Sequence, residues 1–169
     1  MTKRLLSSVC LLLIAGAAIA SDAVNQTLKP AGTPMNPPSV SLGYVILYVK
    51  DVPASLAFYE AAFGLSRRFF NDDNGKAYGE LETGAARLGF ASLELAKAQL
   101  KRDAVTVSLD KAPGFEIALV TPNVLALYAR AVKAGATAVS GPETKPWGQT
   151  VAYVRDNAGH VVELCTPVP

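Results

Sequence analysis

Two glutamates, a histidine, a cysteine and a tryptophan are the residues of this chain whose surroundings could support chemistry. Glu116 stands in Phe115-Glu116-Ile117-Ala118-Leu119-Val120 and Glu163 in Val161-Val162-Glu163-Leu164-Cys165, so each carboxylate interrupts an apolar run. A carboxylate among apolar neighbours is costly unless it meets donors, keeps water or shifts its pKa. Such a group can act as a base for proton abstraction, or as a receptor for an amine or another hydrogen-bond donor. The same two side chains could instead satisfy backbone donors or an arginine such as Arg87 or Arg155.

Cys165 is two residues from Glu163 and shares its face of a strand, but no histidine stands beside it to generate a thiolate. It reads as a buried small hydrophobe that could also touch a ligand. His160, the single histidine, adjoins Gly159 at the edge of the turn 156–159, which predicts a solvent-exposed corner. A metal centre needs three or four convergent donors, so one histidine and two carboxylates are a poor beginning. Trp147, held between Pro146 and Gly148, can close over a flat ligand or pack a sheet edge.

The remaining composition narrows the function classes. The chain has 169 residues, 50% hydrophobic and 18% charged, as expected of one globular domain with its own core. Its 16 basic and 14 acidic residues form no basic run able to track a phosphate backbone, so no nucleic-acid partner is expected. Lys3 and Arg4 precede an apolar run from Leu5 to Ala17, and Ala18-Ile19-Ala20 supplies the small-x-small pattern of a signal-peptidase site. Residues 1–20 are therefore expected to be a signal peptide, which implies a periplasmic or secreted protein with no membrane association after cleavage. Ser21 stands where a lipid-anchored precursor would carry cysteine. Cleavage removes two of the 16 basic residues, leaving 14 against 14, and removes Cys10, so no intramolecular disulfide remains to Cys165.

Residues 21–39 contain Pro30, Gly32, Pro34, Pro37 and Pro38 and read as a flexible Pro-rich linker, with order beginning at about residue 40. Asn25-Gln26-Thr27 matches a glycosylation acceptor by chance. A strand is predicted over Gly43–Val49, then a helix over Pro53–Phe63 capped near Asp51 and closed by Gly64. Three strands follow, around 67–71, 77–83 and 86–95, with turns at 71–75 and 83–84. The order is βαβββ. An offset of 72 residues then lays Tyr44 on Glu116, Asp51 on Asn123, the first helix on 125–133, and the strand around Ala91 on 161–166. Strands at 138–140 and 149–155 complete a second copy, giving modules at about 43–95 and 115–167.

Val49-Lys50-Asp51-Val52-x-x-Ser55-x-x-Phe58-Tyr59-x-x-x-Phe63-Gly64-Leu65 resembles the first-module signature of the vicinal oxygen chelate superfamily, the glyoxalase, bleomycin-resistance and extradiol-dioxygenase group. Pro146-Trp147-Gly148-Gln149, Val154-Arg155-Asp156-x-x-Gly159 and Val162-Glu163-Leu164 resemble its second-module ending. The resemblance implies an α+β domain over 40–169 in which tandem βαβββ modules curl their mixed sheets into a cup around a ligand. It also implies four metal-ligand positions, at Tyr44, Ala91, Glu116 and Glu163. The histidine of the family's first strand is missing from both modules, and Ala91 has no donor atom. No metal cofactor is expected, with Glu116 and Glu163 as weak candidates should a divalent ion bind.

Strand alternation adds Ile46 and Tyr48 to the face of Tyr44, Gly89 and Leu93 to that of Ala91, and Ala118 and Val120 to that of Glu116. That predicts a mostly apolar lining with the two glutamates projecting into it. Val45, Leu47, Val49, Ile117 and Leu119 would pack under the helices. The expected function is binding of a small, largely apolar organic molecule by Tyr44, Tyr48, Ala91, Trp147, Gln149 and Cys165, with Glu116 and Glu163 as catalytic groups if a reaction occurs. The alternatives are a metal-dependent lyase, isomerase or dioxygenase, and an antibiotic-sequestering protein. Export disfavours glutathione chemistry, whose thiol pool is chiefly cytosolic. Exposed sheet edges favour a homodimer.

Overall fold

The computed structural model describes residues 40–104, 106, 108, 110, 111 and 113–169. The expected signal peptide, the linker and the Asn25 triplet lie outside them. The described elements run β1 (Tyr44–Val49), α1 (Val52–Phe63), β2 (Ser66–Asp73), β3 (Lys76–Glu82), β4 (Arg87–Ser92), α2 (Leu93–Leu100), β5 (Glu116–Val120), α3 (Val124–Lys133), β6 (Thr137–Thr144), β7 (Thr150–Arg155) and β8 (Val161–Cys165). They form two four-stranded sheets of the same design, ordered β1-β4-β3-β2 and β5-β8-β7-β6. In each, the first and last strands of a module pair in parallel and the rest pair antiparallel. The sheets are mixed and neither closes into a barrel.

Local chemistry explains the helices. The Asp51 carboxylate accepts from the Ala54 amide at 2.8 Å, Pro53 occupies the first turn where its missing donor does no harm, and Gly64 at φ 75° ends α1. Asn123 repeats the cap on Ala126 at 3.0 Å. Ser92 explains the element that periodicity did not predict. Its hydroxyl accepts from the Leu95 and Ala77 amides at 3.2 and 3.1 Å and donates to the Gly75 carbonyl at 2.7 Å. This stops β4 and starts α2, so Leu93 and Leu95, which alternation assigns to the strand, are helical, and Leu93 does not lie on the β4 face.

The core lies between helices and sheets. Leu47, Val49 and Phe90 are buried against Leu56 and Tyr59 of α1, and Val154, Val162 and Leu164 continue the same cluster in the second module. Rings of Phe58, Tyr59, Phe63 and Phe90 meet edge to face with centroids 5.0–5.8 Å apart. Of the residues expected under the helices, Leu47 and Val49 are buried, whereas Val45 remains 40% exposed at the sheet edge.

Contacts between modules run through the helices and one turn. Arg130 of α3 donates from Nε to the Ala61 carbonyl at 2.7 Å and from a terminal nitrogen to that of Glu60 at 3.1 Å, capping the end of α1. The turn after β7 carries a buried polar cluster. Asp156 Oδ2 accepts from the Tyr59 hydroxyl at 3.0 Å and lies 2.9 Å from His160 Nδ1, while Oδ1 accepts from the Ala158 and His160 amides at 2.9 and 2.8 Å. His160 is therefore not the exposed corner its glycine neighbour suggests: it is 2% exposed. The reason is that a desolvated carboxylate needs donors, and the imidazole together with the turn amides supplies them.

Candidate functional site

In the second module, β5, β8 and β7 present Glu116, Ala118, Val120, Glu163, Cys165 and Tyr153 on one face. The register sets Glu163 opposite both Ala118 and Tyr153. The Tyr153 hydroxyl lies 3.4 Å from Glu163 Oε1, a long and weak hydrogen bond. Burial raises the Tyr153 pKa, and the charges of Glu163 and then Glu116 raise it further. Burial followed by the same two carboxylates also raises the Cys165 thiol. The fold thus gathers Glu116, Glu163 and Cys165 around one tyrosine, and it holds the cysteine in its neutral form.

Gln149 and Trp147 sit at the end of this face. The indole Nε1 donates to Gln149 Oε1 at 2.9 Å, and Gln149 Nε2 donates to the Thr166 carbonyl at 2.8 Å. The amide is tied to the residue that follows β8 and the indole to the amide, yet Trp147 is 59% exposed. A large apolar plane is displayed to solvent on a fixed stem.

The first module's face differs from the expected apolar lining. Tyr44, opposite Arg87, is exposed; Tyr48 is opposite Ala91, which is buried and faces Tyr78 on its other side. Applying the alternation rule to β3 would have found the rest: Tyr78, Glu80 and Glu82 share a face there. Glu80 is nearly buried, and its Oε1 accepts from the Tyr78 hydroxyl at 2.9 Å. Its Oε2 lies 3.7 Å from Arg68 Nε and 3.7 Å from Arg87 Nε. Burial and the Glu80 hydrogen bond push the Tyr78 pKa well up.

The ladder also corrects the internal alignment of the two modules. The offset is 72 at the first strands and the helix caps, but Arg87, the partner of Tyr44, corresponds to Val161, the partner of Glu116, an offset of 74. Glu163 therefore matches Gly89 rather than Ala91. A Cβ on Gly89 would stand 2.8 Å from the Tyr78 hydroxyl oxygen, so the tyrosine occupies the space a side chain there would need. Neither alignment puts a donor atom on β4 at the position that matches Glu163.

A metal held by four donors does not fit these faces. Gly89 and Ala91 offer no ligand atom, Tyr44 lies beside Tyr78, and among the described residues no group of three His, Cys, Asp or Glu side chains, Glu116, Glu163 and Cys165 included, is placed to hold an ion.

A cavity of about 960 Å³ lies between the β1–β4 side of the first module and β5 of the second. Its walls are mainly apolar, including Val45, Leu65, Leu88, Leu119 and Leu127, with Arg87, Glu82 and Glu116 as the charged members. Of the residues singled out from sequence, Glu116, its face neighbours Ala118 and Val120, and Arg87 line this cavity; Tyr44, Tyr48, Ala91, Trp147, Gln149, Glu163 and Cys165 lie outside it.

A family model described as the Glyoxalase/Bleomycin resistance protein/Dioxygenase superfamily matches residues 41–164. No curated protein matches. Among solved structures, a glyoxalase-related enzyme from Fulvimarina pelagi is 21% identical with a TM-score of 0.62, covering 75% of this chain and 87% of its own. A glyoxalase/bleomycin resistance protein/dioxygenase family enzyme from Burkholderia phytofirmans PsJN is 23% identical with a TM-score of 0.58, covering 77% and 100%. TioX from Micromonospora sp. ML1 is 24% identical with a TM-score of 0.56, covering 75% and 98%. At these identities the likeness is one of fold.

Proposed function

This chain belongs to the glyoxalase/bleomycin resistance protein/dioxygenase superfamily, and on that premise we propose that it binds a small, largely apolar organic ligand without the metal typical of the group. The observation that carries the reading is the cavity of about 960 Å³, apolar over most of its wall and bearing Glu116 on one side. Its size lies at the upper end for small-molecule sites, and a few charged groups on an apolar wall suit orientation of a ligand more than chemistry on it. Should a reaction occur, Glu116 and Glu163 are its base candidates, because their carboxylates stand near Tyr153 and Cys165 on a partly desolvated face.

We also propose that the protein acts after export and as a homodimer. Lys3 and Arg4 ahead of the apolar run support export. The exposed apolar side chains of Tyr44, Phe115 and Val120, at 56, 46 and 65%, support association.

Elemental mass spectrometry of the purified chain, after exposure to manganese, iron, nickel and zinc, tests the metal-free reading, with sedimentation velocity on the same sample for its mass. Near-stoichiometric metal that falls in Glu163→Ala would restore a metal-dependent lyase, isomerase or dioxygenase. Displacement of an apolar fluorescent probe, weakened by Leu119→Trp within the cavity, is the expected binding result.

A further inference from the structure

Arg87 opens β4 at the place where the polar face of the first module meets the apolar cavity, and it lines that cavity. Its guanidinium is poorly provided for by the protein. Nε is buried and has no hydrogen-bond partner, the Glu80 oxygen beside it being 3.7 Å away and out of hydrogen-bonding range. Among the described residues no side-chain hydrogen bond is made by the terminal nitrogens either. The two acidic groups of the cluster are drawn mostly elsewhere. Tyr78 holds one oxygen of Glu80 at 2.9 Å, and Arg68 reaches both Glu80 at 3.7 Å and Glu82 at 3.3 Å. Arg68 thus shares two carboxylates, and Arg87 has a distant share in one.

A guanidinium carries five donors in a planar fork that matches a carboxylate, and a donor left without an acceptor in a desolvated place is costly. Leu65, Leu88, Leu119 and Leu127 surround the space next to it with apolar surface. We propose that Arg87 is the anchor for the acid group of the ligand, which is an organic acid with an apolar body of several carbons. This rests on the reading that the cavity is the ligand site, and it adds the chemical class of the ligand and its orientation. The acid lies at the first module's wall, and the apolar body runs towards β5. Glu116, on the opposite wall, disfavours the reversed pose by like-charge repulsion.

The test uses three probes of one shape, octanoate, 1-octanol and octylamine, titrated into the purified chain with leucine methyl groups labelled for NMR. Octanoate is expected to move the methyl signals of Leu65, Leu88, Leu119 and Leu127 and to bind roughly tenfold or more tighter than octanol, as a charge-assisted pair requires. Arg87→Gln is expected to bring the two close together, and Arg87→Lys to keep part of the preference. Rising salt is expected to narrow the preference in the unaltered chain, a readout that needs no variant. Equal binding of octanoate and octanol, a preference untouched by Arg87→Gln or by salt, or tightest binding of octylamine would overturn the anchor and leave the cavity as a ligand site. If none of the three moves those methyl signals, the cavity reading fails and the anchor fails with it.

Discussion

The Tyr59 hydroxyl in α1 donates to Asp156 Oδ2 at 3.0 Å, although 97 residues of chain separate the two. Both side chains are buried, and together with His160 they tie the helix of the first module to the last turn of the second. The carboxylate accepts from a phenol and two amides and contacts an imidazole, so its removal orphans several donors at once.

Asp156→Ala is accordingly expected to destabilise the domain by about 3 kcal/mol or more, the range for breaking a buried hydrogen-bonded charge. Urea denaturation followed by circular dichroism checks this. A loss below about 1 kcal/mol would show that solvent replaces the carboxylate and that the cluster contributes little.

Alkaline titration tests the same contact from the phenol. Burial and the neighbouring Asp156 charge raise the Tyr59 pKa well above its ordinary value. The folded state therefore keeps this proton where the unfolded chain, titrating near pH 10, has released it. The contribution is complete below about pH 10 and is lost as pH rises from there towards the folded value. The urea midpoint should fall steadily above pH 10, and Tyr59→Phe should flatten that fall while lowering stability at neutral pH. A midpoint with the same alkaline slope in both proteins would remove Tyr59 as its source.

Gly79 tests packing between α1 and the first sheet. A Cβ there would stand 2.6 Å from Leu56 Cδ1 and 3.1 Å from the Phe69 carbonyl oxygen. Leu56 is fully buried and cannot retreat freely. Gly79→Ala is expected to cost roughly 1–3 kcal/mol, as overpacking does, read as a lowered thermal midpoint.

Cys165 reports on the two glutamates. Burial first, and then Glu163 and Glu116, hold its thiol pKa above the ordinary value. Alkylation by iodoacetamide at pH 8 should be slow in the native protein and faster in Glu163→Gln, which removes one of the opposing charges. Equal rates would mean that the carboxylate does not act on the thiol.

Much of this architecture is legible in the residue order because its signals are local. Asp51 and Gly64 bracket α1 as expected, and the repeat anchored by Asp51 and Asn123 locates both modules. What escapes depends on partners distant in sequence. His160 looks exposed beside Gly159 until Tyr59 and Asp156 are brought to it. The Glu80, Arg68 and Arg87 cluster is invisible to a repeat comparison because the last strands slip by two residues between modules. The cavity is illegible for a further reason: it lies between two sheet edges whose separation is a tertiary quantity.

That separation is set in an unusual place. Among the described residues no ladder bond joins β1 to β5, so no backbone register fixes the distance between them. The gauge is instead a pair of helices, with Arg130 gripping the last carbonyls of α1 and Tyr59 reaching Asp156. Related chains could therefore widen or narrow the cavity by changing side chains on α1 and α3, leaving every strand pairing intact.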